Sequence, residues 1–150
     1  MPSLVARVSD PGVIREIRDG DEAALIALWH AAGVSRPWND PQRDIAFARG
    51  SPHATILVAQ AGDVLVASAM VGEDGHRGWA YYVAVAPERQ KTGLGRAIMQ
   101  AAEIWLLRRG IWKLQLLVRA DNAGAVGFYE RLGYHDTRTV CLQKVIEPAA

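Results

Sequence analysis

Apolar and polar residues change their period several times along the chain, and each change marks an element. Residues 12–18, Gly-Val-Ile-Arg-Glu-Ile-Arg, predict a short first strand. Leu25, Leu28 and Trp29 then fall at helical spacing, with Asp19 and Asp21 placed to cap the helix and Gly33 to end it. Asp40 followed by Pro41 predicts an N-cap with proline in the first turn, and a second short helix to about Arg49. The β-branched runs 55–60 and 64–71 flank a turn at 61–63 and predict a hairpin. A polar turn cluster at 73–78 leads into a strand over 79–85, which Pro87 stops. Ala97, Ile98, Ala101, Ala102, Trp105 and Leu106 then mark one face of a long helix over 93–109, with Gly110 as its C-cap. Residues 112–118 read as a buried strand, 123–132 as a helix ended by Gly133, and 134–145 as a last strand that closes the sheet.

Antiparallel hairpins therefore come first, and a β-α-β-α-β half follows. That order predicts an α/β fold with one mixed, mostly antiparallel sheet and helices on both faces. The helix between the strands at 79–85 and 111–118 is a crossover, so those two strands are expected to run parallel. With 150 residues, no internal repeat and no linker, the chain is expected to form a single domain over 1–150.

Charge and composition narrow the function. Seventeen basic and sixteen acidic side chains leave a net charge of +1, which argues against nucleic acid as a partner. No apolar run approaches the roughly 20 residues of a membrane span, and residues 1–12 lack the build of a signal peptide, so a cytoplasmic protein is expected. The single cysteine, Cys141, cannot pair within the chain, and no metal site is expected around it. Its place in an apolar, strand-like run predicts a core residue.

The most informative stretch follows the strand at 79–85: Gln90, Lys91, Thr92, Gly93, Leu94, Gly95 and Arg96 open the long helix. Glycines let the backbone turn tightly and approach a ligand. The first amides of a helix have no internal partner and sit at the positive end of its dipole, so a strand, a glycine turn and a helix start make a phosphate cradle. Lys91 and Arg96 add positive charge. The dinucleotide fingerprint fails, because Ile98 stands at its third glycine, and the Gly-Lys-Ser/Thr ending of a P-loop is absent. Further on, Asp121 or Asn122 is placed to cap the next helix, and Asn122 also has an amide to offer a ligand. Tyr129 lies seven residues after Asn122, about two helical turns, and so shares its face. A cap and an aromatic core residue would produce the same pattern.

Together the two stretches resemble the GCN5-related N-acetyltransferase (GNAT) family. Gln90, Gly93 and Gly95 match its pyrophosphate motif, Gln/Arg-x-x-Gly-x-Gly/Ala. Asn122, Ala125, Phe128, Tyr129, Gly133 and Tyr134 match its later signature. The match is tight over about 79–135 and follows element order over nearly the whole chain. The resemblance implies the GNAT-type acyl-CoA N-acyltransferase fold, with a central parallel pair of strands splayed to admit acetyl-coenzyme A. It implies that the backbone of Val83, Ala84 and Val85 pairs with the pantetheine arm, one amide there polarising the thioester carbonyl. It implies that the amides from Lys91 to Arg96 hold the pyrophosphate, that Asn122 contacts the pantetheine region, and that Tyr129 returns a proton to the leaving thiolate.

The implied reaction is direct transfer of an acetyl group from acetyl-CoA to an amine, with no metal and no covalent enzyme intermediate. The glutamate base of some relatives has Leu117 at its position here, which tilts the acceptor toward a small molecule. A protein N-terminus or lysine is the alternative acceptor, and a non-catalytic acyl-CoA sensor is the alternative of another class. Glu73, Asp74 and His76 are polar candidates for a base, with an ordinary turn as the competing explanation. The loop around Arg36 and Trp38 is either an acceptor-binding loop or a proline-ordered loop with Trp38 tucked into the core. Oligomeric state is open, a homodimer included.

Overall fold

The computed structural model describes residues 7–8 and 12–147. The chain falls into two compact units, Met1–Leu117 and Val118–Ala150.

The first unit is built on one six-stranded sheet in the order β1-β2-β3-β4-β5-β6, with β1 at Arg7–Val8, β2 at Gly12–Glu16, β3 at Ala54–Ala61, β4 at Val64–Glu73, β5 at Gly78–Val85 and β6 at Leu114–Leu116. The first five strands pair antiparallel in chain order, and the β3–β4 turn carries Gly62 at φ +59°. β5 and β6 pair parallel, as the crossover helix requires. Their pairing covers only Gly78, Ala80 and Trp79 against Leu114 to Leu116, and β5 runs on to Val85 beyond it.

Helix α1 spans Glu22–Ala31, α2 spans Pro41–Arg49 and α3 spans Leu94–Leu107. The expected face of α1, Leu25, Leu28 and Trp29, is buried. Asp21 does not cap α1 with its side chain; it takes a two-pronged pair with Arg15, at 2.7 and 3.1 Å, and the amide of Arg18 at 2.8 Å. Asp40 caps α2 by accepting from the Arg43 amide at 3.2 Å, ahead of Pro41 in the first turn. The long helix buries Ile98, Ala101, Ala102, Trp105 and Leu106, the face expected from their spacing.

Helices cover both faces of this sheet. Trp29 of α1 bonds Ser68 of β4. Leu106 of α3 lies against the hydrogen side of Gly78, whose partner on β4 is Glu73. Ser68 and Glu73 are an odd number of residues apart, so they point to opposite faces. Ile14, Leu25, Ile56, Leu57, Val58, Val71 and Ile98 have no exposed surface at all, and each such side chain contributes about 1.5–3 kcal/mol.

The second unit contains α4, Ala123–Arg131, begun by Asn122 and followed by Gly133 at φ +96°. Two expectations are corrected in the strand assignments. Residues 134–145 form no strand. The Arg138 amide turns back onto Asp136 Oδ1 at 2.7 Å, and Arg138 itself is left-handed at φ +58°, so local side-chain bonds break the extended run where it should begin. Val140 and Leu142 are accordingly exposed, and Cys141 is exposed rather than in the core. The strand expected over 112–118 shrinks to three half-buried residues, with Trp112 and Leu117 exposed. Among the described residues no strand follows α4, so β6 is the last strand in the sheet order and the parallel pair stands at that end of it.

Candidate active site

The first unit carries the strand, loop and helix start singled out above. Ala84 is buried, and Val83 and Val85 are half-buried. Pro87–Arg89 forms a single 3₁₀ turn after β5. Gln90 is then extended, Lys91 is left-handed at φ +64° and Gly93 is left-handed at φ +87°. Thr92 Oγ1 donates to the Arg89 carbonyl at 2.5 Å and ties the loop to the turn before it. Gly93 is the N-cap of α3 and offers no side chain to cap it, so the amides of Leu94, Gly95 and Arg96 precede the first intrahelical acceptor. The first intrahelical bond of the turn runs from Ala97 N to the Gly93 carbonyl at 3.0 Å. Lys91, Thr92, Gly93 and Arg96 are exposed, and Leu94 is buried beneath them as the anchor of the turn. Unspent amides, a left-handed glycine and two cations at a helix start can hold an anionic group.

β5 carries a feature that its spacing did not announce. Ser68 pairs with Ala84 and Met70 with Tyr81, so Tyr82 and Val83 stand opposite the single residue Ala69. This is a β-bulge, and Tyr82 takes φ +50° within it. A bulky residue in that region costs on the order of 1–3 kcal/mol. Four contacts offset the cost. Tyr82 Oη donates to Asp44 Oδ2 of α2 at 2.7 Å. Its ring stacks on Trp29, with centroids 3.7 Å apart and planes 9° from parallel. Ser68 Oγ donates to the Tyr82 carbonyl at 2.8 Å and accepts from Trp29 Nε1 at 2.9 Å. Burial, followed by the Asp44 carboxylate, drives the Tyr82 phenol pKa far upward.

The polar candidates near the β4–β5 turn are occupied by that turn. Glu73 takes the Gly75 amide at 2.9 Å and His53 Nδ1 at 2.6 Å, and these hold its carboxyl below the usual range, the amide first. Asp74 accepts from the amides of Arg77 and His76 and from Trp79 Nε1, and its carboxyl is likewise lowered. Trp38 is 66% exposed, so it is not a core residue.

In the second unit, Asn122 Oδ1 caps α4 by accepting from the Ala125 amide at 3.1 Å. Tyr129 follows on the same helix, with ring contacts to Phe128 and Tyr134 at 5.0 and 5.8 Å. Burial pushes its phenol up to about 12. At neutral pH the group is therefore a fully protonated donor.

A family model described as the Acetyltransferase (GNAT) family matches residues 19–134. The chain belongs to that family. An acetyltransferase of Pectobacterium atrosepticum is 40% identical over 131 residues, 87% of this chain and 93% of that one. An acetyltransferase of Yersinia enterocolitica is 39% identical over the same shares. Among solved structures, the aminoglycoside acetyltransferase AAC(6')-Iy, in complex with a CoA-linked bisubstrate analogue, superposes with a TM-score of 0.78 at 15% identity, covering 89% of this chain and 97% of its own. The Escherichia coli ribosomal-protein-S18-alanine N-acetyltransferase superposes with a TM-score of 0.66 at 26% identity, covering 81% and 76%. The GNAT chain described here is thus an acetyltransferase with the family's mixed α/β fold. No helix among its described residues is long and apolar enough to cross a membrane.

Proposed function

We propose that this GNAT enzyme moves the acetyl group of acetyl-CoA to a primary amine of a small molecule by direct attack. The observation that carries the reading is the start of α3, where Gly93 at φ +87° leaves the Leu94, Gly95 and Arg96 amides unspent beside Lys91. In this reading those amides hold the pyrophosphate, with Gln90 and Thr92 shaping the loop. The backbone of Val83, Ala84 and Val85 receives the pantetheine arm, and one amide there stabilises the oxyanion. Asn122 belongs to the pantetheine contacts.

The neutral amine attacks the thioester carbonyl carbon, forming the C–N bond. The tetrahedral species collapses with cleavage of C–S, and the electron pair leaves on sulfur. Tyr129 Oη donates its proton to that thiolate, the ammonium of the tetrahedral species loses its proton to water, and the phenolate regains a proton from water. Burial raises this phenol to about 12, so it is protonated at neutral pH and has a proton to give. Most of the rate comes from holding two reactants in line.

Exposed Leu117, where some relatives have a glutamate base, supports a small-molecule acceptor over a peptide N-terminus. The likeness to the E. coli alanine N-acetyltransferase supports the second reading, a peptide acceptor. The proposal places the enzyme in the cytoplasm. A panel of small amines, N-terminal peptides and lysine peptides, assayed by release of free thiol, tests it. Turnover on small amines is the expected result. Turnover on peptides alone replaces the acceptor class, and tight acetyl-CoA binding with no turnover on any amine leaves a sensor.

A further inference from the structure

We propose that Tyr82 is a positioning residue for acetyl transfer, and that Asp44 on α2 sets it. Four elements converge on one strained peptide. Asp44 comes from α2, Trp29 from α1, Ser68 from β4, and Tyr82 from β5 itself. Trp29 and Ser68 have no exposed surface, so their side of this anchorage is dry, while the Tyr82–Asp44 bond is half-buried. The residue held at φ +50° is not a glycine, although glycine adopts that conformation without strain. A conformation that costs energy persists only where its surroundings over-determine it, and such positions cluster at functional sites.

Tyr82 immediately precedes Val83, and both stand opposite Ala69 in the bulge. A bulge leaves its extra residue outside the ladder and redirects the strand. The Tyr82 carbonyl is accordingly held by a side chain, Ser68 Oγ. The backbone that follows is the segment assigned above to the thioester, so the direction of its amides depends on the bulge. The Tyr82 Oη–Asp44 bond is the single polar tie in this set between the bulge and α2. The helix that begins after the acceptor-side loop thereby controls the aim of the oxyanion donor. This inference rests on the proposed function.

The test uses the full chain and single-turnover acetyl transfer to the best amine of the panel, with acetyl-CoA affinity from calorimetry. Tyr82→Phe keeps the stack and removes the hydroxyl, with its bond to Asp44 and its further hydrogen bond with Asn39. The expected loss in rate is about 10–10²-fold, the scale of a misplacement near 1 Å. Acetyl-CoA affinity is expected to stay within about twofold, because the pyrophosphate is held at α3. Asp44→Ala is expected to lose as much, Asp44→Asn to recover most of that loss through its remaining oxygen acceptor, and the double variant Tyr82→Phe with Asp44→Ala to be no worse than either single change. Melting temperatures separate aim from folding. If the variants melt lower but transfer at the wild-type rate while folded, the network is only structural and the proposal fails. It fails equally if the two single losses add. An inactive wild-type chain would instead overturn the proposed function, which keeps the two failures distinct.

Discussion

The stretch from β5 into α3 and the stretch through α4 carry the two halves of the GNAT signature, yet they are held in different ways. Among the described residues, every buried apolar side chain lies between Ile14 and Leu106. The phosphate-side half is set into that core: Ala84, Leu94, Ile98 and Met99 are buried around the left-handed loop. Helix α4 has no fully buried residue, Tyr129 itself being half-buried, and its order comes from a cap, a glycine stop and ring contacts. A site that must bind a highly charged, fixed pyrophosphate uses backbone, which needs a rigid frame. The proton donor proposed on α4 needs only a protonated side chain, and local contacts can hold one.

The largest expected effect separates chemistry from binding. Tyr129→Phe keeps the ring and removes the donor, and single-turnover rate should fall about 10²–10⁴-fold while acetyl-CoA affinity stays near wild type. Because the phenol lies at about 12, neither arm of a pH–rate profile between 6 and about 10 should report it. A wild-type rate in this variant would hand the proton to water or another group.

Next come the supports. Ile98→Ala in α3 should cost about 2–5 kcal/mol in urea denaturation, as a fully buried aliphatic truncation does. Leu142→Ser, at a side chain 90% exposed, should stay within about 0.5 kcal/mol. A large cost at Leu142 would show that 134–145 packs as a strand in solution, and would restore the element that its alternation suggested.

Gly93→Val tests the cradle. Valine at φ +87° is strained whatever the space, and no neighbouring atom lies within 4 Å of its Cβ to fix the loop another way. Acetyl-CoA affinity should drop by at least about tenfold, which corresponds to about 1.4 kcal/mol of the strain. Unchanged affinity here and in Gly95→Val would remove the pyrophosphate assignment.

The smallest effect lies in the frame itself. Arg15, then burial in opposition, then the Arg18 amide act on Asp21, and the net result is a carboxyl below its ordinary 3.8. A depressed carboxyl stabilises the fold above its unfolded pKa, so the contribution is complete above about pH 5 and drains away as pH falls through 3.8 and below. Asp21→Asn should cost about 0.5–1 kcal/mol at pH 7, and the gap to wild type should narrow in urea melts taken toward pH 3.

Much of the frame was readable along the chain because its causes are local. Asp40 with Pro41, the Gly62 turn, the 3.6-residue spacing from Ile98 to Leu106 and the crossover that makes β5 and β6 parallel are all short-range or topological. The loop from Gln90 to Gly95 was readable for the same reason. The Tyr82 bulge was not, since tyrosine has no preference for positive φ and its partners lie at 29, 44 and 68 in the chain. Residues 134–145 misled because apolar alternation records only a capacity for pairing, while Asp136 and Arg138 decide the local turn.

The Trp29–Tyr82 stack also makes the protein optically legible. Of its five tryptophans, Trp29 is wholly dry and faces a phenol ring at 3.7 Å, whereas Trp38 and Trp112 stand mostly in solvent. Its indole should emit to the blue of theirs, be spared by iodide or acrylamide, and give a signed near-ultraviolet dichroism from coupling to the adjacent ring. The stack proposed to aim the backbone thus carries its own signal, readable without a label.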